Sequence, residues 1–346
     1  MVRSRMVAVL AIGVLSSAGA TDTPRVEWQA QRSGVTARLR GISAVSERVA
    51  WASGANGTIL RTIDGGLSWH PRPIPGAETL DFRDVDALSE HVAYALSIGP
   101  GEASRIYKTT DGGARWALQF ANTDPKIFFD AMTFRDERRG VAFSDSVDGR
   151  FVILTTSNGG RGWTRVPDDR LPPALPGEGA FAASGTNVAL GGARGIWIGT
   201  TAGRVLRSPD DGRSWAVSNT PIATGATAGI FSIAFRDARH GIAVGGDYNK
   251  ENEAIDNAAL TADGGETWTL VKPSRLSGFR SVVAWVPGTA AALIAVGPSG
   301  SDWSSDAGRT WAPLAGEGFD TLSFAARTRT GWASGSGGRI ARLIVR

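Results

Sequence analysis

Six copies of a short acidic motif contain the residues of this sequence best suited to chemistry. The first copy, "RTIDGGLSWH", occupies residues 61–70, and every copy places an aspartate or asparagine five residues before a tryptophan. The pairs are Asp64 and Trp69, Asp111 and Trp116, Asn158 and Trp163, Asp210 and Trp215, Asp263 and Trp268, and Asp306 and Trp311. A carboxylate can bind a metal ion or act as an acid or base, but each copy would then need partner residues. Asn158 has no carboxylate, so repeated chemistry does not explain the set.

A structural role accounts for the same residues. The Asp or Asn side chain can accept N–H bonds within its own turn, and the glycines allow positive φ between two strands. The tryptophan can bury its ring against a neighbouring sheet. We therefore interpret each copy, called a box turn below, as a hairpin turn between the two outer strands of a repeating unit.

The spacing of the box turns predicts the fold. Steps of 47, 47, 52, 53 and 43 residues are typical of a four-stranded propeller blade. "AWASGANGTILRTIDGG" at 50–66 is echoed by "GWASGSGGRIARLIVR" at 331–346, which stops before a box. The N-terminal "RVEWQAQ" at 25–31 can supply the missing outer strand, with Trp28 as a seventh box tryptophan.

The sequence thus predicts an all-β, seven-bladed propeller of four-stranded antiparallel blades. The ring is closed by the N-terminal strand pairing in the last blade, which removes exposed sheet edges. We expect one domain over 21–346. Its closing strand is placed at about 24–31 and its blades at about 35–74, 81–120, 128–168, 178–219, 229–272, 278–315 and 319–346.

The N-terminus has the pattern of an export signal. Arg3 and Arg5 precede the apolar run 6–15, and Ala18-Gly19-Ala20 offers a cleavage site. We expect a signal peptide over 1–20, cleavage near Ala20, and a mature protein in the periplasm or outside the cell. The apolar run is too short to span a bilayer, so no transmembrane anchor is expected in the mature chain.

Composition limits the kinds of partner. The 37 basic and 33 acidic residues give a net charge of +4, and they are scattered rather than clustered, so nucleic-acid binding is not indicated. There is no cysteine, which excludes disulfides. The three histidines show no paired spacing, so the sequence predicts no metal site, cofactor or catalytic residue.

A second set of polar residues lies where the inner strands begin. Loops joining strands two and three of each blade emerge on this same face, opposite the box turns, and loops on rigid scaffolds often carry binding. Arginines and carboxylates converging there could bind a partner protein, a peptide or a small anionic ligand. The candidate residues are Arg40, Arg83, Asp84, Arg105, Asp130, Asp145, Glu178, Asp247, Tyr248, Arg280, Ser281 and Asp320.

These motifs carry a resemblance. The pattern Ser/Thr-x-Asp-x-Gly-x-Ser/Thr-Trp is similar to the Asp-box, or bacterial neuraminidase repeat. Over residues 24–346 the chain resembles the photosystem II stability/assembly factor-like propellers, and "FRDVDAL", "SRIYKTTDGGARW", "GEGAFAASGT" and "LSGFRS" resemble their non-photosynthetic bacterial branch. The resemblance implies a binding or assembly factor, since the photosynthetic members assist assembly of a membrane complex through an arginine-rich face.

An enzymatic alternative stays open, because sialidases and xyloglucanases share the Asp-box. Resemblance to sialidases implies an arginine triad and a tyrosine nucleophile, for which Arg40, Arg83, Arg280 and Tyr248 are the candidates. The Arg-Ile-Pro stretch expected of a sialidase is absent, and "RLRGIS" is the nearest text. A glycoside hydrolase with paired carboxylates would instead use Asp130, Asp145, Glu178 and Asp247.

Overall fold

The computed structural model describes residues 26–272 and 275–346 as short strands joined by turns. The predicted signal peptide, its cleavage position and the first residues of the closing strand lie outside the described residues. Single 3₁₀ turns occur at Gly101–Ala103, Asp168–Arg170 and Ser336–Gly338. Within 26–272 and 275–346, no helix is long and apolar enough to cross a membrane.

The strands are numbered in chain order. The first is β1 (Val26–Arg32). Blades one to three contain β2 (Leu39–Ala44), β3 (Ala50–Gly54), β4 (Ile59–Thr62), β5 (His70–Pro71); β6 (Asp81–Ala87), β7 (Ala93–Ile98), β8 (Arg105–Thr109), β9 (Ala117–Ala121); and β10 (Phe129–Phe134), β11 (Gly140–Val147), β12 (Arg150–Thr156), β13 (Thr164–Arg165). Blades four to seven contain β14 (Val188–Gly191), β15 (Gly195–Gly199), β16 (Arg204–Ser208), β17 (Ala216–Asn219); β18 (Ala228–Phe235), β19 (Gly241–Asp247), β20 (Ala258–Thr261), β21 (Thr269–Leu270); β22 (Val282–Trp285), β23 (Leu293–Gly297), β24 (Gly300–Ser304), β25 (Ala312–Leu314); and β26 (Thr321–Phe324), β27 (Thr330–Ser334), β28 (Arg339–Val345).

The strands form seven four-stranded antiparallel sheets, so the chain is a seven-bladed propeller as the repeat predicts. Six sheets each use four consecutive strands. The seventh has the order β1-β28-β27-β26, with Trp28 opposite Leu343 and Arg32 opposite Arg339. The first described strand is therefore the outer strand of the last blade.

Side chains from adjacent sheets pack between the blades. The Tyr94 ring of blade two stacks on Phe134 of blade three at 3.6 Å, and Trp197 of blade four stacks on Phe235 of blade five at 3.7 Å. The apolar cluster at the seam joins blades one and seven through Trp332 and residues of β2 and β4. Strand alternation delivers one apolar face of every sheet to its neighbour, so the ring is held by burial between blades.

Each box turn is held by its own side chains. The Asp64 carboxylate accepts the Thr62 hydroxyl at 2.8 Å, the Ser68 backbone N–H at 3.0 Å and the Ser68 hydroxyl at 2.5 Å. The Thr62 hydroxyl in turn accepts the Gly66 N–H at 2.9 Å. The hydrogen bonds from Ser68 lower the pKa of Asp64 to about 2. The Asp64 carboxylate thus accepts its hydrogen bonds from within the turn, as the structural interpretation requires.

The box tryptophans lie at the interfaces between blades. Trp69 is buried, and its indole N–H donates to Gln31 of β1 at 3.1 Å. Trp28, in the boxless blade, packs its ring 4.7 Å from Phe319. The box motif thus joins a turn to an inter-blade contact.

The dependence of the ring on β1 is tested by two truncations. A chain beginning at residue 26 keeps β1, whereas a chain beginning at residue 33 lacks it. We expect the shorter chain to melt at least about 10 °C lower, because it exposes the edge of β28 and loses the half-buried Trp28 ring that packs on Phe319. Differential scanning calorimetry compares the two, and equal melting temperatures would contradict the seam.

The structural role of the box turn is tested at Asp111, which accepts the Arg115 N–H at 2.9 Å and the Thr109 hydroxyl at 3.0 Å. We expect Asp111→Ala to lower the melting temperature by roughly 2–6 °C, as loss of a turn-capping acceptor does. The control Asp111→Asn keeps the acceptor oxygen, as Asn158 does in blade three, and should lower the melting temperature by less. Thermal melting at pH 7 measures all three, and an unaffected Ala variant would be inconsistent with the role.

Candidate binding site at the channel mouth

Bulges in four inner strands place side chains at the channel. The pairing register of the first two strands shifts between Leu39 and Gly41, Phe82 and Asp84, Phe129 and Ala131, and Ile230 and Ser232. The extra residue in each case is Arg40, Arg83, Asp130 or Phe231. A bulge bends its strand and re-aims the extra side chain. In blades one to three, each bulged residue follows a buried apolar residue, in the pairs Leu39-Arg40, Phe82-Arg83 and Phe129-Asp130.

A cavity of about 380 Å³ opens at this mouth. Its lining comes from inner-strand starts and from loops between the second and third strands, at the opposite ends of the strands from the box turns. The lining residues are Arg38, Arg40, Arg83, Phe181, Ala182, Ala183, Phe231, Tyr248, Glu251, Phe279, Ser281, Pro298 and Asp320. The volume falls in the range of small-ligand sites.

One wall of the cavity is basic. Arg38 forms a two-point ion pair with Asp320 at 2.8 and 2.6 Å, and Arg83 pairs with Asp81 at 2.8 Å. The Arg40 guanidinium forms no ion pair or hydrogen bond with any described residue. Burial, then the neighbouring Arg83 and Arg38, lower the pKa of Arg40 to about 10. Arg40 is thus a charged donor without a protein acceptor.

The other wall is aromatic. Phe181 and Phe231 stack at 3.9 Å, and Phe279 meets Phe231 edge-on at 4.6 Å. Tyr248 approaches both stacked rings edge-on at about 6 Å and is 42% exposed. An apolar ligand group would bury against these rings, while an anionic group would meet the arginines.

The floor is a segment that crosses the channel, residues 178–187, which connects blade three to blade four. Its Ala182 carbonyl accepts from Arg83 of blade two at 2.9 Å, and its Ser184 hydroxyl donates to the Ser281 carbonyl before blade six at 3.1 Å. Phe181 stacks on blade five. This crossing segment contacts blades on both sides of the ring and therefore occupies the central channel.

Five predicted residues line the cavity. Arg40, Arg83, Tyr248, Ser281 and Asp320 come together there from blades one, two, five, six and seven. Ser281 is buried, and its hydroxyl donates to the Asp320 carbonyl at 2.7 Å. It joins adjacent blades rather than presenting a free hydroxyl.

Two predicted residues are buried in ion pairs and do not line the cavity. Arg280 is 2% exposed and donates to Asp302 at 2.6 Å and to the Ser277 hydroxyl at 2.5 Å. Glu178 is 2% exposed, accepts from Thr200 at 2.7 Å and pairs with Arg204, which anchors the start of the crossing segment. Both charges are satisfied within the fold, and Arg38 takes the position expected of Arg280 as the third arginine.

Three predicted aspartates lie beneath the crossing segment. Asp84 accepts the Met132 N–H at 2.7 Å, and Asp145 accepts the Ala180 N–H at 3.1 Å. Asp130 is 1% exposed, and one of its oxygens has no hydrogen-bond partner among the described residues. A side chain at Gly185 would collide with Asp84, so the segment passes directly over this carboxylate. These three acids therefore lie under the segment and do not line the cavity.

Burial dominates the ionisation of these acids. Burial, followed by the nearby Asp86, raises the pKa of Asp84 to about 8. Burial and then Asp145 raise the pKa of Asp130 well above its usual value. The carboxylates named for a paired-carboxylate hydrolase thus do not meet in the cavity.

The remaining two predicted residues lie at strand ends outside the cavity, Arg105 at the start of β8 and Asp247 at the end of β19. Arg105 donates to the Glu102 carbonyl at 2.6 Å, and Asp247 accepts from the Thr227 hydroxyl at 2.7 Å and the Asn249 N–H at 2.9 Å. Both form hydrogen bonds with residues of adjoining loops. Within 26–272 and 275–346, no group of three or more His, Cys, Asp or Glu residues is placed to hold a metal ion.

Arg38, Glu251 and the three phenylalanines of the aromatic wall line the cavity but are not among the residues predicted from the sequence. The bulge positions make Ile230 the equivalent of Phe82 and place Phe231 at the channel. "GEGAFAASG" carried a signal for Phe181, since it lengthens the connection into blade four.

Comparison with known proteins identifies two photosystem II assembly factors as relatives, whereas no protein-family model matches the chain. The chain is 27% identical over 228 residues to the chloroplastic Photosystem II stability/assembly factor HCF136 of Arabidopsis thaliana, covering 63% of this chain and 48% of that protein. It is 25% identical over 309 residues to the Photosystem II assembly lipoprotein Ycf48 of Picosynechococcus, covering 76% and 82%. The match spans about half the length of the plant relative. These similarities indicate homology with the assembly factors.

Solved structures share the fold. A structure described as YCF48 bound to D1 peptide has a TM-score of 0.65 and 17% identity, covering 92% of this chain and 96% of that chain. YCF48 from Cyanidioschyzon merolae gives 0.66 and 17%, covering 92% and 98%. The Niastella koreensis GH74 enzyme gives 0.62 and 14%, covering 91% and 53%. At these identities the structures establish the seven-bladed architecture alone.

The buried acids predict a pH dependence of stability. A carboxyl whose pKa is raised by folding stabilises the fold fully below its unfolded value near 4 and loses this contribution as pH rises toward the folded pKa. The box aspartates Asp64 and Asp111 have lowered pKa values, so their contribution to stability changes with pH only below about pH 4. We therefore expect the melting temperature to fall between pH 5 and pH 8.

The variant Asp84→Asn tests how much of this fall Asp84 causes, because the amide oxygen can still accept the Met132 N–H. We expect it to reduce the fall and not to abolish it, since Asp130 also has a raised pKa and each pH unit of differential protonation corresponds to about 1.4 kcal/mol. Asp247→Asn, at the half-buried end of β19, is the control and should leave the slope of melting temperature against pH unchanged. A slope that survives unchanged in Asp84→Asn would count against this assignment.

Proposed function

We propose that the chain is an exported binding or assembly-factor-like propeller that recognises a partner segment, a peptide or a small anionic ligand at the channel mouth. Homology with photosystem II assembly factors and the propeller fold support a role in binding. The basic segment and apolar run at the N-terminus support export to the periplasm or cell exterior. The quoted box and inner-strand sequences support membership of the Asp-box propellers and of their non-photosynthetic bacterial branch.

The observation that carries the proposal is the unpaired Arg40. The other two arginines of the cavity already have carboxylate partners, Asp320 and Asp81. A partly buried guanidinium without an acceptor gains most from a ligand that brings one, because charge-assisted bonds are strong where water is scarce. A carboxylate fits its planar fork with two parallel bonds.

The aromatic wall adds a second requirement. Phe181, Phe231 and Phe279 form an apolar surface in the same cavity, and the half-exposed Tyr248 covers its edge. A ligand group that is apolar and close to an anion satisfies both walls at once. Peptides provide this combination through a carboxylate next to a large side chain, so we favour a peptide segment as the ligand.

A matched pair of small probes tests the site. N-acetylphenylalanine carries both a ring and a carboxylate, whereas N-acetylphenylalaninamide lacks only the charge. We expect the acid to bind at least about tenfold more tightly, because the charged hydrogen bonds to Arg40 are lost in the amide. Ligand-observed NMR titration or calorimetry measures both dissociation constants.

Three variants assign the contacts. Arg40→Gln should reduce binding of the acid to the level of the amide, and Phe181→Ala should weaken both probes. Arg309→Gln, at the exposed box turn of blade six, is the control that also removes one arginine. It should change the dissociation constant of neither probe. Equal binding of acid and amide by the parent chain, with all variants folded, would refute the channel mouth as an anion site.

A further inference from the structure

A second groove lies on the box-turn side of the ring, between blades three and four. Its volume is about 450 Å³, and it is lined by Arg135, Arg139, Arg165, Arg170 and Arg213 around an apolar floor. The floor includes Val166, Leu190, Ile196 and Trp163. The groove shares no lining residue with the channel-mouth cavity and opens at the other ends of the strands.

The acidic groups are too few for the arginines around this groove. Asp211 alone pairs with Arg135 at 3.3 Å, Arg139 at 3.4 Å and Arg194 at 3.2 Å. Arg139 has a second partner in Asp136 at 2.7 Å, and Arg165 pairs with Asp168 at 3.1 Å. Arg135 is largely buried, and burial lowers its pKa, as expected for a cation whose desolvation is only partly compensated.

Two arginines of the groove have free guanidinium groups. Arg213 is exposed on the box turn of blade four, and Arg170 is exposed on the 3₁₀ turn after β13. Neither side chain forms an ion pair or hydrogen bond with the residues that the structure describes. The groove therefore presents two unpaired cations beside an already under-neutralised cluster.

The box turn of blade three departs from the other five at this position. In blades one, four, five and six, the second carboxylate oxygen accepts the hydroxyl four residues later, as Asp210 does from Ser214 at 2.7 Å. Blade three has Asn158 and Gly162 instead. The Asn158 oxygen accepts the Gly162 N–H at 2.9 Å, so its NH₂ group is left as an exposed donor on the groove. Asn158 thus removes one negative charge and adds an amide donor at this edge, and Gly162 lacks the hydroxyl that donates to the carboxylate in the four blades named above.

We propose that this groove binds an acidic segment of a partner protein, with several carboxylates flanking an apolar side chain. Arg139, Arg165, Arg170 and Arg213 lie on separate elements along the groove, so their charges suit an extended chain better than a single compact anion. Guanidinium groups pair with carboxylates through two parallel bonds, and the floor of Leu190 and Trp163 takes an apolar side chain. Because it opens on the other side of the ring from the channel mouth, both sites can be occupied together.

The test uses the capped peptide acetyl-Glu-Leu-Glu-Glu-amide, titrated calorimetrically into the full chain at 50 mM and 200 mM salt. The peptide with glutamine at each glutamate is the neutral control. We expect the acidic peptide to bind, its affinity to fall at the higher salt, and the neutral peptide to bind at least about tenfold more weakly. Equal binding of both peptides, or no tighter binding than sodium acetate or sulfate, overturns the proposal.

Asn158→Asp is the decisive variant, because the other five box turns carry aspartate and the fold should be retained. It places a carboxylate on the groove without removing any arginine, and we expect affinity for the acidic peptide to fall about fivefold or more. Arg170→Gln combined with Arg213→Gln should weaken binding about tenfold or more. Melting temperatures within about 2 °C of the parent establish that each variant is folded.

Two controls separate this groove from the channel mouth. Arg309→Gln removes the equivalent box-turn arginine of blade six, outside the groove, and should leave peptide affinity unchanged. Arg40→Gln should do the same, and N-acetylphenylalanine should not compete. Unaltered affinity in a folded Asn158→Asp variant, or a loss in Arg40→Gln, would overturn the assignment to this groove.

Discussion

The side chain of Gln31 joins the two ends of the chain to the first blade. Its oxygen accepts the indole N–H groups of Trp69 at 3.1 Å and Trp332 at 3.2 Å, and its nitrogen donates to the Gly65 carbonyl at 2.9 Å. One amide thus satisfies two buried indoles and a box turn across the seam. A propeller has no free sheet edge only when its last sheet is complete, so every inter-blade contact depends on this closure.

Within the closed ring, bulges in the inner strands place the candidate site residues at the channel. A regular strand directs alternate side chains to the two sheet faces, where neighbouring blades bury them. A bulge releases one residue from that alternation, and at three blades the released residue is Arg40, Arg83 or Asp130. The crossing segment then selects among them, since it covers Asp130 and leaves Arg40 exposed to the cavity. The proposed binding residues therefore lie where the regular strand pattern is interrupted.

The fold was predictable because its signals are local and repeated. Each box turn carries its own acceptors and glycines, and Trp28 marks the missing strand even without a box. The site was predictable only in part. That Arg280 is neutralised by Asp302 depends on an ion pair between side chains 22 residues apart. The displacement of Phe231 to the channel depends on a one-residue bulge, and a periodic pattern leaves the position of such a bulge undetermined.

The crossing segment makes the channel mouth a cup with a single opening. Residues 178–187 contact blades two, five and six and fill the axis that many rings leave hollow. A ligand would therefore reach Arg40 from the channel-mouth side of the ring. It would enter and leave by the same path, because the segment closes the other side.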